Sequence, residues 1–292
     1  MRVKAAAFDY VRAQGLAEAL DLLGRHGPEA KLLAGGQSLL PALNLRLSAP
    51  SILIDISRIE ALRGVSVGLH GLRIGALTRH ADLLASAEIA SHAPLLARAI
   101  AHVAHPAIRS RGTIGGSLAN ADPAAELPAC VLALQARMVV QGPKGERVIA
   151  AADFFTGLFE TALAPDEILT AMEIPPFAAD AVCGFQELAR RSGDYAIVGL
   201  AAQGRRTGIG LSELRLGYFS VGTKATLAPR AAAALVGSAL DAAGFARAEA
   251  ALAEDLDPHD DLQASAATRL RLARVLLRRV VTSMLPAVQV AA

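Results

Sequence analysis

Apolar positions recur at two spacings along this chain, and the switches between them outline its elements. Leu16, Ala19, Leu20 and Leu23 fall on one face of a 3.6-residue repeat, which predicts a helix to about His26, stopped by Gly27. Lys31–Ala34 and Ile52–Ile56 are short apolar runs of buried-strand length. Between them Ser38 is placed to cap a helix through Leu47, with Pro41 tolerated in its first turn. Residues 1–58 therefore read as a small α/β unit. Residues 59–176 look mixed. Leu72–Ile74 is a short strand, Thr78 is placed to cap a helix to about Ser86, and Pro94 opens a helix that ends before His105-Pro106. Asp122 and Pro123 read as N-cap and first residue of a helix to about Leu134. Arg137–Val140 and Arg147–Ala150 form a hairpin around Gly142-Pro143-Lys144-Gly145, and Ile168–Ile174 is a strand closed by Pro175-Pro176.

That proline pair predicts the main boundary, between domains 1–176 and 177–292. Beyond it, Cys183–Leu188, Ala196–Gln203 and Glu213–Val221 are strand-like, and helices follow from Pro229, Gly244 and Ser265. Strands grouped before helices predict an α+β layer, an antiparallel sheet with helices over one face. The last helix, Ser265 to about Leu285, carries Ala273, Leu276, Leu277, Val280 and Met284 on one side and Arg271, Arg274 and Arg278 on another. It reads as docked on its own sheet with a solvated arginine face, in preference to a membrane-surface helix.

Composition narrows the partners. A chain of 292 residues, 53% hydrophobic, can bury a large core and predicts about two domains. A net charge of only +2 argues against a nucleic-acid partner, and the absence of a long uncharged apolar stretch argues against a membrane span. Met1-Arg2-Val3-Lys4 is not followed by a signal-peptide core, so a cytoplasmic location is expected. Cys130 and Cys183 fit no metal or redox spacing and read as buried thiols.

Two glycine pairs are the chief chemical feature. Ala34-Gly35-Gly36-Gln37-Ser38 and Thr113-Ile114-Gly115-Gly116-Ser117 each set adjacent glycines before a small hydroxyl residue. Glycine reaches φ > 0 freely, so successive N–H groups can converge on an anion, and two such nests facing each other could hold a diphosphate. The first segment is neither a Rossmann fingerprint nor a P-loop and taken alone reads more readily as a tight turn, whereas the second is richer in small and hydroxyl residues. Thr113 and Ser117 can donate to phosphate or ribityl oxygens. Glu126 could accept from ligand hydroxyls, since it falls one position late for a capping box with Asp122. Tyr195, after Gly193, could stack on an aromatic ligand or simply fill a turn. His102 and His105 lack further ligands nearby, and no nucleophile or zincin motif occurs. Catalytic power would then have to come from a redox cofactor.

Together, Ala-Gly-Gly-Gln-Ser-Leu-Leu-Pro (34–41), Arg-Gly-Thr-Ile-Gly-Gly-Ser-Leu-Ala-Asn-Ala-Asp-Pro-Ala-Ala-Glu-Leu-Pro (111–128) and Arg-Arg-Ser-Gly-Asp-Tyr-Ala (190–196) resemble the flavin subunit of molybdenum hydroxylases, the medium-chain type of carbon monoxide dehydrogenase. The resemblance runs over essentially the whole chain. It implies a two-part FAD-binding domain of the vanillyl-alcohol-oxidase type followed by an α+β domain. Lys31, Leu32, Leu33, Ala34, Gly35, Gly36, Gln37 and Ser38 would match the first FAD loop, and Thr113, Ile114, Gly115, Gly116 and Ser117 the second. Glu126 matches an acidic position of the family, Leu169 an apolar flavin-side position, and Tyr195 a tyrosine near the isoalloxazine. Gln37 stands where the carbon monoxide enzymes usually carry His, and Gln186 where xanthine oxidoreductases carry a flavin-adjacent Lys. The cysteine insertion that holds a 4Fe–4S cluster in some aromatic-CoA reductases is missing. The implied partners are a large molybdopterin subunit and a small 2Fe–2S subunit, in a dimer of heterotrimers, with an external electron acceptor. A self-contained flavin oxidase on the same fold, and a non-enzymatic nucleotide-binding or assembly module, are the competing readings.

Overall fold

A computed structural model describes residues 4–208, 210–238 and 240–285. The first part contains β1 (Asp9–Arg12), α1 (Leu16–His26), β2 (Ala30–Leu33), α2 (Leu39–Asn44) and β3 (Ile52–Asp55). Its three strands are parallel, in the order β1-β3-β2, and bury Ala19, Leu23, Ile52 and Ile54 beneath α1. β1 has no apolar run to announce it. It is held by pairing with β3 and by Tyr10 and Arg12, which both reach the Asp55 carboxylate. Two expectations for α2 need correcting. Ser38 occupies the N-cap without a side-chain cap bond, and the helix stops at Asn44, short of Leu47, because Arg46 takes a positive φ of 58°.

The second part runs β4 (Val65–Gly68), β5 (Gly71–Gly75), α3 (His80–Ala85), α4 (Ala87–His92), α5 (Pro94–Ile100), α6 (Pro106–Arg109), α7 (Ile114–Asn120), α8 (Glu126–Ala133), β6 (Arg137–Gly142), β7 (Gly145–Ala150), α9 (Ala151–Phe154), β8 (Phe155–Gly157), β9 (Glu160–Thr161) and β10 (Ile168–Ile174). Five strands form an antiparallel sheet, β4-β5-β10-β6-β7, and β8 and β9 make a small ribbon. Thr78 caps no helix, because its Oγ1 is taken by the N–H and carbonyl of Gly64. Ser86 instead opens a separate helix, accepting from Ile89 N–H at 3.2 Å. Asp122 does not start α8 either. Ala121 ends α7 in the left-handed region, Asp122 Oδ1 caps a turn at Ala124 N–H, and Ser220 N–H holds the Pro123 carbonyl at 2.8 Å. The helix begins at Glu126, so the capping-box comparison for that residue does not apply.

The third part holds β11 (Ala181–Leu188), β12 (Val198–Thr207), β13 (Gly210–Phe219), β14 (Thr226–Leu227), α10 (Pro229–Leu235), α11 (Ala242–Asp255) and α12 (Ala266–Ser283). Its sheet is an antiparallel meander. Val198, Leu200, Leu216 and Tyr218 face α10–α12, and Ala273, Leu276, Leu277 and Val280 meet them. The opposite face is covered as well, which corrects the one-face expectation. Cys183, Phe185, Ala201 and Phe219 are apolar on alternate positions and join a core shared with α5 and α8. Helix α8 is buried from Leu127 to Ala133, as a helix apolar all round requires. Gly217 lets it close on β13, since a Cβ there would stand 2.4 Å from the Ala129 carbonyl oxygen. The arginine side of α12 clamps α11: Arg274 donates to the Glu249 carbonyl and Arg278 to its carboxylate. Among the described residues no helix is long and apolar enough to cross a membrane, and Cys130 and Cys183 are buried free thiols.

Candidate functional site

The two glycine segments come together. A Cβ at Gly35 would lie 2.3 Å from the Arg111 carbonyl oxygen and 2.8 Å from Gly112 Cα, and one at Gly116 would lie 3.8 Å from Ala34 Cβ. The second segment is fastened from behind: Ile114 N–H donates to Thr78 O at 3.1 Å and Gly115 N–H to Ala76 O at 2.8 Å. Gly115 sits so close to that strand end that a Cβ would meet Ala76 Cβ at 2.4 Å.

The glycines serve two different purposes, and this revises the picture of paired nests. Of the four, only Gly36 has a positive φ, 74°, where the first loop turns. Gly115 and Gly116 are helical, inside α7, and their N–H groups are already used. Gly116 donates to Thr113 Oγ1 at 3.2 Å, and Ser117 to Thr113 O at 3.0 Å. The open donors lie in the first loop. Among the described residues, the N–H groups of Gly35, Gly36, Gln37 and Ser38 make no hydrogen bond within the protein. Gln37 Nε2 clips this loop by donating to Gly35 O at 3.0 Å. Thr113 Oγ1 accepts from Gly116, so its hydroxyl hydrogen stays available to donate. The arrangement is a row of free amides in a loop that closes on the chain just before Thr113, suited to an anion with several oxygens.

The acidic end of the site lies at the start of α8. Burial, then the charges of Glu187 and Asp122, push the Glu126 carboxyl up to about 7. The Tyr195 residue is 60% exposed, so one side of its ring is open to a planar ligand. Loss of water around its hydroxyl, with the Asp122 and Glu126 carboxylates nearby, pushes the phenol up to about 12. Gly193, at φ 83°, turns the chain beneath it and leaves room for the His105 ring, which a Cβ would meet at 2.3 Å. Asp122, Pro123, Phe159, Tyr195 and Arg269 line a cleft of about 420 Å³.

The remaining predicted positions are less alike. Lys31 is exposed on β2, Leu32, Leu33 and Ala34 are half-buried, and they lead the chain into the first loop. Leu169 is apart from the polar set, enclosed in the core opposite Val140 on β10. Gln186 is exposed and on the other face of β11 from Glu187. Sequence reasoning overlooked Glu187, although the alternation Cys183, Phe185, Glu187 puts a carboxylate on an inward face. It also overlooked His80, which is buried against Gly112 with both ring nitrogens unpartnered, and which burial pushes down to about 4. His102 and His105 belong to no group of potential metal ligands among the described residues.

This architecture is a two-part FAD-binding fold with an α+β domain behind it. Residues 6–177 match the family described as FAD binding domain in molybdopterin dehydrogenase, and residues 184–284 the CO dehydrogenase flavoprotein C-terminal domain. The chain is 40% identical to the 6-hydroxypseudooxynicotine dehydrogenase complex subunit alpha of Paenarthrobacter nicotinovorans, over 95% of this chain and 94% of that one. It superposes with a TM-score of 0.94 on carbon monoxide dehydrogenase from Hydrogenophaga pseudoflava lacking the Mo-pyranopterin moiety, at 37% identity over 96% of this chain and 98% of the other. Quinoline 2-oxidoreductase from Pseudomonas putida 86 matches with a TM-score of 0.91 at 38% identity, over 96% and 98% of the two chains. The chain thus belongs to the FAD-binding subunits of the molybdenum hydroxylases, flavoprotein components of oxidoreductase complexes.

Proposed function

We propose that this chain collects electrons from the 2Fe–2S clusters of a small partner subunit and delivers them to an external acceptor, while a large molybdopterin subunit oxidises the substrate. Residues 1–176 would form its flavin domain and 177–292 its C-terminal domain. The observation that carries this reading is the row of free N–H groups from Gly35 to Ser38 in a loop whose Gly35 packs against Arg111 and Gly112, just before Thr113. These residues fit a diphosphate, and backbone donors hold one without a positive side chain. Lys31, Leu32, Leu33 and Ala34 bring the chain to that point, and Ile114, Gly115, Gly116 and Ser117 would supply the second FAD loop. Glu126 would bind ribityl hydroxyls and Tyr195 would bound the flavin ring, while Leu169, enclosed in the core, keeps only the flavin-side role that the resemblance implies. Bound FAD would supply the exchange between single-electron donors and a two-electron acceptor. The protein fixes the cofactor's position and its surrounding charge.

The curated relatives carry names that include medium chains, a medium subunit and a complex subunit, which supports a heteromeric assembly. A dimer of heterotrimers in the cytoplasm is the arrangement we propose. Gln37 in place of the usual His argues for a substrate other than carbon monoxide. The test is purification from the native source with metal and flavin analysis. One FAD per chain, together with molybdenum and iron in two co-purifying subunits, is expected. A lone flavoprotein that oxidises an organic substrate unaided would establish the self-contained oxidase instead.

A further inference from the structure

We propose that the enclosed Glu187 carboxyl is a proton store that serves the flavin and exchanges with solvent through His102. The proposal rests on the FAD reading above, but its core is visible in the protein alone. The Glu187 side chain is 7% exposed, its Oε1 lies 3.4 Å from His102 Nδ1, and its Oε2 is enclosed with no hydrogen-bond partner among the described residues. The His102 side chain is 46% exposed and its ring packs at 5.1 Å on Phe185, so it spans from the buried carboxyl to water.

Burial pushes Glu187, like Glu126, up to about 7, and pushes His102 down. Below neutrality the contact between His102 and Glu187 is therefore one between a protonated carboxyl and an imidazole whose charging burial disfavours, although its geometry resembles an ion pair. The other groups facing the pair leave the store undischarged. Burial raises both Cys130, on the next turn of α8, and Cys183, on the same face of β11, so each stays a thiol. Arg98 donates to the Cys183 carbonyl at 2.6 Å. Asp122 adds negative charge at Glu126, and Tyr195 stays protonated. Glu187 stands near the end of β11, where the chain leaves for the Tyr195 turn and returns with Ile197 N–H on the Leu188 carbonyl at 2.7 Å. The carboxyl thus lies at the foot of the turn proposed to face the flavin, in contact with His102.

The chemistry asks for such a store. Iron–sulfur donors pass electrons without protons. Bound FAD would take up one proton with two electrons on reduction to its singly charged form, and Glu187 would supply that proton and be left ionised. A proton from water, relayed by His102, restores it.

Infrared spectroscopy of the full chain stripped of flavin tests the store directly. A protonated-carboxyl band is expected at pH 6 that disappears by pH 8.5, and Glu187→Gln should remove at least half of it while circular dichroism stays unchanged. Absence of a titrating band in the wild type overturns the proposal. In the FAD-loaded chain, the plot of flavin midpoint potential against pH should bend near neutrality, and Glu187→Gln should abolish the bend. His102→Gln should keep the bend and slow proton uptake after a pH jump at least tenfold. Identical potential–pH plots for wild type and Glu187→Gln refute the coupling to flavin. A chain that shows the band but takes up no FAD refutes the FAD reading and its link to the store, and leaves the buried proton standing.

Discussion

At Gly35 a single hydrogen atom separates the two halves of the site, because any Cβ would stand 2.3 Å from the Arg111 carbonyl oxygen. Neither backbone can yield without moving its loop. Gly35→Ala should cost about 1–3 kcal/mol in stability, as overpacked sites do, and lower FAD retention at least tenfold. Thermal unfolding and flavin absorbance after desalting measure the two effects, and wild-type values in both would remove close approach as the reason for glycine. Tyr195 calls for the opposite pattern. The residue is 60% exposed, so Tyr195→Ala should change stability by less than about 0.5 kcal/mol while shifting the flavin spectrum or potential. An unchanged spectrum and potential would argue against contact with the flavin ring. At this scale the sequence was informative about which residues matter and misleading about why. Glycine pairs and hydroxyls stand out in the letters, but a glycine that turns the chain and one that admits a second backbone look identical until that backbone is in place. Gly36 is of the first kind, and Gly35 and Gly115 are of the second.

Among elements, α8 and the strands facing it concentrate the unusual titrations. Glu126 and Glu187 have folded pKa values near 7 against ordinary values of 4.5. The folded chain therefore binds more protons than the unfolded chain between those limits, and stability falls as pH rises through them. His80 acts in the other direction. Its pKa drops from 6.5 to about 4, so the unfolded chain binds more protons there and stability rises with pH across that interval. Two carboxyls outweigh one imidazole, so Tm should decline modestly from pH 5 to pH 7. Glu187→Gln should flatten the decline and His80→Leu should steepen it, and scanning calorimetry over that range would detect either failure. Asp255 supplies an independent test of packing. Its fully enclosed carboxylate accepts from the N–H groups of Arg230 at 3.3 Å and Ala231 at 2.9 Å, closing the start of α10 from another helix. Asp255→Ala should cost about 1–2 kcal/mol, the range of lost N-caps, and no loss of Tm would contradict that role. Strong periodicity made β10 and α12 legible almost to the residue. β1 was not, because pairing with β3 holds exposed residues that carry no apolar run. The start of α8 was misjudged because a contact from Ser220, far along the chain, fixes the Pro123 turn.

For the whole molecule, the boundary suggested by Pro175-Pro176 is covalent punctuation more than a division of the core. The largest hydrophobic cluster takes Leu96, Cys130 and Met172 from before it and Cys183, Ala201 and Phe219 from beyond it. The resemblance in the sequence already indicated the sheet-and-helix order of the C-terminal part. Its second covered face was hidden, since the alternate apolar residues of β11 to β13 do not reveal which helix meets them. Close packing of Gly193 on His105 ties the Tyr195 turn to the segment that precedes α6, so the predicted site draws on both parts.

The central claim is that the Gly35–Ser38 amides and the Thr113 and Ser117 hydroxyls hold one dinucleotide by its diphosphate. Calorimetric titration of the flavin-free full chain with FAD and with riboflavin tests it most directly. We expect one FAD per chain, riboflavin weaker by at least a hundredfold, and Gly35→Val reducing FAD to the riboflavin level. Riboflavin binding as tightly as FAD, or Gly35→Val binding FAD as tightly as the wild type, would contradict the account.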